Sequence, residues 1–293
     1  MTVNETTPRL GYIGLGNMGA PMAKRLVDWP GGFTVYDVRT EAMTPLAETG
    51  ATLADSIADV AVADIISVTV LDDAQVREVV AELAAKAKPG TVIAIHSTVS
   101  DTTAVELAND LKPQEIHIVD APVSGGAGAA EKGELATMVG AERQVYERIK
   151  PVFNQWASLV IHAGDPGAGT QMKLARNMLT FVSYAAACEA SRLAEASGLN
   201  LQDLGKVVRH TDALTGGAGA IMFRDDTKPL EPEHFLYQPF LHTRGLGEKD
   251  LSLALALGNA VSIELPLAEV AHRWLAVGLG VPHTDAEASL APE

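Results

Sequence analysis

The stretch Leu10-Gly11-Tyr12-Ile13-Gly14-Leu15-Gly16-Asn17-Met18-Gly19-Ala20-Pro21-Met22 decides the fold. Leu10–Ile13 reads as a short buried strand and Met18–Asp28 as a helix. Between them the glycines fall in the order G-x-G-x-x-G, each with its own task in a strand–turn–helix unit. Gly14 permits the tight turn, Gly16 lets backbone come close to a pyrophosphate, and Gly19 lets the helix pack on the strand. The helix N-terminus then presents N–H donors and a partial positive charge to the anion. The spacing predicts a dinucleotide site built from Gly14, Leu15, Gly16, Asn17, Met18 and Gly19. A glycine-rich turn without a ligand is the alternative.

Asp37 follows the second strand, Phe33–Tyr36, and stands 23 residues after Gly14. An acid at about this distance accepts hydrogen bonds from the adenine-ribose hydroxyls and repels a 2′-phosphate, which favours NAD. Arg39 pulls the other way, because a guanidinium there can clamp a phosphate, so NADP stays open.

Farther along, Ile65–Val70, Val92–His96, Ile116–Asp120 and Ser158–His162 also read as strands, with Glu134–Val139 as a further candidate. Helical patterns such as Ala74–Ala87 and Asp101–Leu111 lie between them. This alternation implies βαβ units, hence an α/β Rossmann domain with a mostly parallel, doubly wound sheet. The pattern then changes. The segment from about Gly169 to Ser197 is Ala-rich and reads as one unusually long helix. Leu201–Thr211, Lys249–Asn259 and Pro266–Leu279 also read as helices, and no strand is expected after residue 162. An all-α domain with a long interdomain helix is therefore expected. Gly164–Gly169 marks the boundary: residues 1–164 for the dinucleotide-binding domain, residues 165–293 for a helical substrate and oligomerisation domain. Thr215–Gly219 and Asp225–Gly247 read as loops, the second long enough to suggest function or mobility. His283–Glu293 reads as a frayed tail.

The length of 293 residues suits about two domains. With 22 Lys and Arg against 37 Asp and Glu, the net charge is −15. Such an acidic chain is not a general nucleic-acid binder, which needs a basic surface. A small anion can still bind in a local cationic pocket. Cys188 is the single cysteine, so no intrachain disulfide forms. No Cys or His spacing suggests a metal site. Met1 to Arg9 lacks the apolar core of a signal peptide, and no apolar run reaches the ~18 residues of a membrane span. A cytoplasmic protein without a membrane partner is expected.

Four further segments carry chemistry. Leu71-Asp72 and Ser97-Thr98 end strands, where ligands of open α/β sheets bind, although a turn and helix caps account for them equally. Asp120-Ala121-Pro122-Val123-Ser124-Gly125-Gly126 follows another strand, and its Ser-Gly-Gly end offers a hydroxyl and unhindered N–H groups to a carboxylate. A flexible turn is the plainer reading. Lys173 and Asn177 stand four apart near the start of the long helix and share one face, which Thr180 and Tyr184 continue. Met172, Ala175, Met178, Leu179, Val182 and Ala186 form a face expected to pack, and Cys188 is expected to pack as well. A Lys/Asn pair on a helix is usually solvated, but the neighbouring Gly167 and Gly169 allow a ligand or backbone to come close. A lysine in a cleft exchanges a proton with a hydroxyl once burial or a nearby cation lowers its pKa.

In order, Gly14-Leu15-Gly16-Asn17-Met18-Gly19-Ala20-Pro21-Met22, Asp120 to Gly126, Gly167-Ala168-Gly169 with Lys173 and Asn177, and Lys249-Asp250-Leu251 resemble the β-hydroxyacid dehydrogenase family over nearly the whole chain. Members include 3-hydroxyisobutyrate dehydrogenases, tartronate semialdehyde reductases and glyoxylate/succinic semialdehyde reductases. The resemblance implies an NAD(P)-dependent oxidoreductase acting on a small 3-hydroxy acid or its semialdehyde or keto partner. It implies Lys173 as general acid/base, and Ser124, Gly125, Gly126 and Asn177 as holders of the substrate carboxylate and hydroxyl. It also implies Thr98 and Lys249 near the nicotinamide end of the cofactor, Leu71 and Asp72 along its path, and packing as a homodimer or homotetramer.

The chain also departs from the pattern. The strand end that often reads Asp-x-Ser-Thr carries His96 ahead of Ser97-Thr98. The segment Phe235–Gly247 before Lys249 is longer than usual, which leaves the substrate open. Arg224, His242 and Arg244 are possible anion contacts there, or plain surface charges. An imine reductase-like NAD(P)H reductase is one alternative function, but such enzymes usually replace the lysine, often with Asp or Tyr. A non-catalytic dinucleotide-binding protein is another, but it needs neither Ser124 nor the Lys173/Asn177 pair.

Overall fold

The computed structural model describes residues 7–222, 224 and 226–284. By contact the chain divides into two compact units, Met1–Met178 and Leu179–Glu293.

The first unit is built on one sheet. Its strands β1 (Leu10–Ile13), β2 (Phe33–Tyr36), β3 (Thr52–Leu53), β4 (Ile65–Val68), β5 (Val92–Ile95) and β6 (His117–Asp120) are parallel and ordered 3-2-1-4-5-6. This is the doubly wound Rossmann arrangement, as the alternating pattern implied. The order reverses between β1 and β4, which opens a ligand crevice at their carboxyl ends. β8 (Leu135–Gly140) pairs antiparallel with β6 and with β7 (Val123–Ser124), and β9 (Ala157–Gly164) runs parallel to β8.

Helices cover both faces of this sheet. Leu10, Tyr12, Val35, Ile65 and Val92 pack with α1 (Gly19–Lys24), α2 (Thr40–Ala47) and α7 (Arg143–Phe153). Ile13, Ile66, Val68, Ile93 and Ile95 pack on the other face with α3 (Ile57–Val60), α4 (Asp73–Ala84) and α5 (Asp101–Leu111). Burial on both faces is why these strands read as continuous apolar runs. The first helix is shorter than the expected Met18–Asp28. Past Lys24, the N–H groups of Arg25, Leu26 and Trp29 bond three residues back, to Met22, Ala23 and Leu26, and tighten the chain into turns. A short helix α6 (Gly126–Lys132) lies between β7 and β8.

α8 (Ala168–Ala196) is the expected long helix, and it continues past Met178 into the second unit. That unit also holds α9 (Leu201–Thr215), α10 (Tyr237–Ala260) and α11 (Pro266–Leu279), with no strand among the described residues. Asn200 caps α9 by accepting from Gln202 and Asp203 N–H, and left-handed Gly216 ends it. Proline opens α11 and left-handed Gly280 closes it.

Four expectations are corrected. Asp225–Gly247 is not loop throughout: α10 begins at Tyr237, so His242 and Arg244 are helical, while Asp225 lies outside the described residues. Pro239 sits in the first turn, where its missing N–H is harmless. Gly247 looks like a breaker but is a packing residue, because a Cβ there would lie 2.4 Å from Leu275 Cδ2. Arg244 is no surface charge; it is buried and donates to the Pro282 carbonyl at 2.6 Å. On α8, Met172, Met178, Val182 and Cys188 are exposed rather than packed among the described residues. Of the expected tail, His283 and Thr284 are described, and both bond to Glu248; residues 285–293 lie outside the described residues.

Candidate active site

The turn after β1 separates the tasks of its glycines. Gly14 takes φ +90°, and a Cβ there would lie 2.1 Å from the Thr69 carbonyl oxygen. A Cβ on Gly19 would lie 1.9 Å from the Gly14 carbonyl oxygen. Both glycines are dictated by the chain's own packing. Gly16 is not: apart from its chain neighbours, none of the described residues comes within 4 Å of a Cβ built there. An open side at the second glycine, at the sheet's switch point, is what close approach of a pyrophosphate requires, so the turn fits a dinucleotide. Asn17 and Gly16 are exposed and Met18 is half-buried at this opening. Leu15 contributes differently, with its side chain in the core and its N–H donating to Asp37 Oδ2 at 2.6 Å.

Asp37 lies directly after β2, buried, beside that turn. Its Oδ1 also accepts from the Arg39 N–H at 2.9 Å and from Arg39 Nε at 3.1 Å. Burial alone would raise the carboxyl pKa. The Arg39 and Leu15 N–H groups and the Arg39 guanidinium outweigh it and hold the pKa below the usual carboxylate value. Asp37 is thus ionised, and Arg39 sits against it as an ion pair.

At the end of β4, Leu71 is exposed and Asp72 caps α4 by accepting from Gln75 N–H at 2.9 Å. Ser97 Oγ donates to the Val70 carbonyl at 2.6 Å and accepts from its N–H at 2.9 Å, which ties the ends of β4 and β5 together. Thr98 is exposed next to it, and Ser100 caps α5.

The second cluster is built on β7 and the start of α8. Lys173 is buried, and its Nζ donates to the Val123 carbonyl at 2.7 Å, beside Ser124. Burial disfavours the ammonium, the Arg176 charge adds to this, and the Lys173 pKa is lowered. Asn177 is half-buried one turn on, and its Oδ1 accepts from Arg176 Nη1 at 3.2 Å, which leaves its amide N–H2 as a donor. Gly125 and Gly126 take φ +134° and +76°, and both are exposed. Apart from its chain neighbours, none of the described residues comes within 4 Å of a Cβ built on Gly126. The structure therefore brings Lys173 to the residue before Ser124, with Asn177 one helical turn farther along α8. Lys249 lies in the second unit, exposed on α10 and paired with Asp250 at 3.1 Å.

Three residues were not assigned roles from the sequence. Asp120 is fully buried, with Oδ1 accepting from Gly167 N–H at 2.7 Å and Oδ2 from Thr170 N–H at 2.6 Å. His96 bonds the Ala121 carbonyl at 2.8 Å through Nδ1, so Nε2 accepts from Ser67 Oγ at 3.0 Å. Its ring packs against Phe153 and Trp156, and burial lowers its pKa to about 4, which keeps it neutral. Arg176 carried one legible signal, its place three residues after Lys173 on the same helix face.

A doubly wound sheet with a glycine turn at its switch point defines a dinucleotide-binding α/β protein. Comparison with known proteins narrows this. Residues 9–164 match the NAD-binding domain of 6-phosphogluconate dehydrogenase, and residues 167–290 match the NAD-binding domain of NADP-dependent 3-hydroxyisobutyrate dehydrogenase. An oxidoreductase of uncharacterized activity from Mycobacterium tuberculosis is 70% identical over 290 residues, 98% of each chain. A 3-hydroxyisobutyrate dehydrogenase from Pseudomonas aeruginosa is 32% identical, covering 89% of each chain. The crystal structure of a Mycobacterium avium chain classed with the oxidoreductases is 79% identical, with a TM-score of 0.92, and covers 94% of this chain and 100% of that one. The chain belongs to the β-hydroxyacid dehydrogenase family, of the 3-hydroxyisobutyrate dehydrogenase type, and is an NAD(P)-binding oxidoreductase.

Proposed function

We propose that the protein moves a hydride between NAD and the carbinol carbon of a small 3-hydroxy acid, or back to its semialdehyde or keto partner. The observation that carries this reading is the cluster of Lys173, Val123 and Ser124, with Asn177 one helical turn on. The nicotinamide supplies the hydride acceptor when bound. Lys173 Nζ takes the hydroxyl proton during oxidation and returns it during reduction, and its lowered pKa makes the neutral amine accessible. Asn177 N–H2 orients the substrate oxygen, while Ser124 and the Gly125 and Gly126 N–H groups hold the carboxylate, so proton and hydride follow fixed paths. Gly14, Gly16, Asn17, Met18 and Gly19 hold the pyrophosphate, and Asp37 holds the ribose. Leu71, Asp72, Thr98 and Lys249 are assigned to the cofactor by family resemblance. The ionised, buried Asp37 supports NAD over NADP, because a 2′-phosphate would meet its charge.

The reading includes two domains, residues 1–164 for the nucleotide, which also lend Ser124, Gly125 and Gly126 to the substrate carboxylate, and residues 165–293 for substrate and assembly. It includes a homodimer or homotetramer, supported by the apolar side chains that the second unit leaves exposed, among them Phe181, Leu214, Leu253 and Trp274. Among the described residues, no helix is long and apolar enough to cross a membrane. A cytoplasmic place suits this enzyme.

A rate screen tests the reading. The candidates are 3-hydroxyisobutyrate, 3-hydroxypropionate, glycerate, 4-hydroxybutyrate and serine, with their carbonyl partners, each with NAD(H) and NADP(H). The expected result is turnover of a 3-hydroxy acid, faster with NAD, and a kcat reduced about 10²–10⁴-fold in Lys173→Ala. Reduction of cyclic imines without turnover of any carbonyl acid would overturn the substrate assignment. Preference for NADP(H) would overturn the role given to Asp37.

A further inference from the structure

The start of α8 lacks an ordinary cap. A helix's first N–H groups have no partners within the helix, and a side chain immediately upstream usually accepts from them. Here the acceptor is Asp120, whose carboxylate takes the N–H groups of Gly167 and Thr170 from 47 and 50 residues away. Burial raises its pKa, and these N–H donors offset part of that rise. The fit around it is close. A Cβ on Gly140 would lie 2.2 Å from Asp120 Oδ1, and a Cβ on Gly169 would lie 2.4 Å from the Met138 carbonyl oxygen and 2.7 Å from that of Asp120. Gly167 takes φ +99°. Three glycines thus leave room for one carboxylate and one helix start in a single register.

The two ends of this arrangement lead to the reacting groups. Along α8, Lys173 comes three residues after Thr170 and Asn177 four residues later, so the anchored first turn sets their height and rotation. Along the chain, Asp120 is followed by Ala121, Pro122, Val123 and Ser124. The Ala121 carbonyl is held by His96, and the Val123 carbonyl accepts from Lys173 Nζ. One residue is therefore bonded to the element that carries the lysine and covalently joined to the loop that carries the serine.

We infer that Asp120 is a positioning residue that fixes the gap between Lys173 and Ser124 by tying the first turn of α8 to the end of β6. The inference rests on the roles proposed above for Lys173 and Ser124. A displacement of about 1 Å between reacting groups can cost about a hundredfold in rate.

The test uses Asp120→Asn, which keeps the shape but turns one acceptor into a donor facing a backbone N–H. Thr170→Pro is the second variant. It removes one N–H at a first-turn position that tolerates proline, and it serves if Asp120→Asn fails to fold. Three quantities are read on the full-length protein: kcat and KM for the best hydroxy acid, Kd for NADH by fluorescence, and the Lys173 titration by NMR of 13C-labelled lysine side chains, with Arg176 retained as its neighbouring cation. The expected result is a kcat lower by about 10–100-fold, a Kd for NADH within about twofold of the parent, and a Lys173 titration moved up toward that of an ordinary lysine. A folded variant with kcat and the Lys173 titration both unchanged would overturn the inference. If the parent turns over no hydroxy acid but the titration still moves, positioning of Lys173 stands and the proposed reaction falls.

Discussion

The two units treat their apolar residues in opposite ways. In the first, residues such as Tyr12, Leu83, Ile93, Phe153 and Trp156 are almost completely withdrawn from solvent on the two faces of the sheet. In the second, a small cluster of Leu236, Phe240, Leu279 and Val281 is buried, while Phe181, Leu214, Leu253 and Trp274 are each more than half exposed. A parallel sheet with helices on both faces completes its own core. Helices whose apolar stripes face outward do not, and contiguous exposed apolar surface marks an interaction site. The difference teaches that the sheet covers its own apolar residues, whereas the helical unit leaves several of its own uncovered, and it is to these that the proposed association is assigned.

Three measurements would break or sharpen that contrast. The largest effect is expected at Trp156, which is fully buried and donates from its indole to Thr137 Oγ1. Trp156→Ala should lower the urea-unfolding free energy by about 3–5 kcal/mol. A loss under about 1 kcal/mol would mean that the sheet does not depend on this core. The next effect comes from His96. Its folded pKa is pushed down to about 4 by burial, whereas an unfolded histidine titrates near 6.5. Between these values the unfolded chain binds more protons. Stability from this group is therefore full above about pH 6.5 and falls by roughly 3 kcal/mol as the pH drops to 4. Unfolding free energies measured across that window should lose this slope in His96→Gln, and an equal slope in both proteins would refute the assignment. The smallest effect on the chain itself is expected at exposed Leu253. Leu253→Ser should change the intrinsic stability by less than about 0.5 kcal/mol yet weaken association several-fold in sedimentation. The parent's melting temperature should rise with protein concentration. A parent that sediments as a monomer at every micromolar concentration would end the contrast.

What the sequence made legible follows the same division. The strands β1, β4 and β5 stood out because each is buried along its whole length with little polar character to confuse the reading, while β2 and β6 were legible through Phe33 and Val35 and through Ile118 and Val119. The edge pair Thr52–Leu53 and the two-residue Val123–Ser124 did not, because two residues carry no periodicity. Tyr237–Gly247 read as loop because Pro239, Gly245 and Gly247 look like breakers. Only the contact of Gly247 with Leu275, 28 residues away in sequence, explains one of those glycines. In the site, Lys173, Asn177 and Ser124 were legible as residue types at suggestive spacings. Asp120 was visible as part of a motif, but its task was not, because its partners lie 47 and 50 residues downstream and no local pattern connects them.

That long reach has a counterpart at α11. Its start has no local side-chain cap, and Glu189 accepts from Leu267 and Ala268 N–H at 3.1 and 3.0 Å, across 78 and 79 residues. Helices capped by a neighbour can fix their first turn early, while the rest of the chain is still open. Those capped from a distance must wait until the loop between the partners has closed, and that closure costs entropy. The first turn of α8 is thus expected to form late in folding, once β6 is in place. On this order Lys173 is expected to come into register only after the sheet exists, later than the glycine turn after β1.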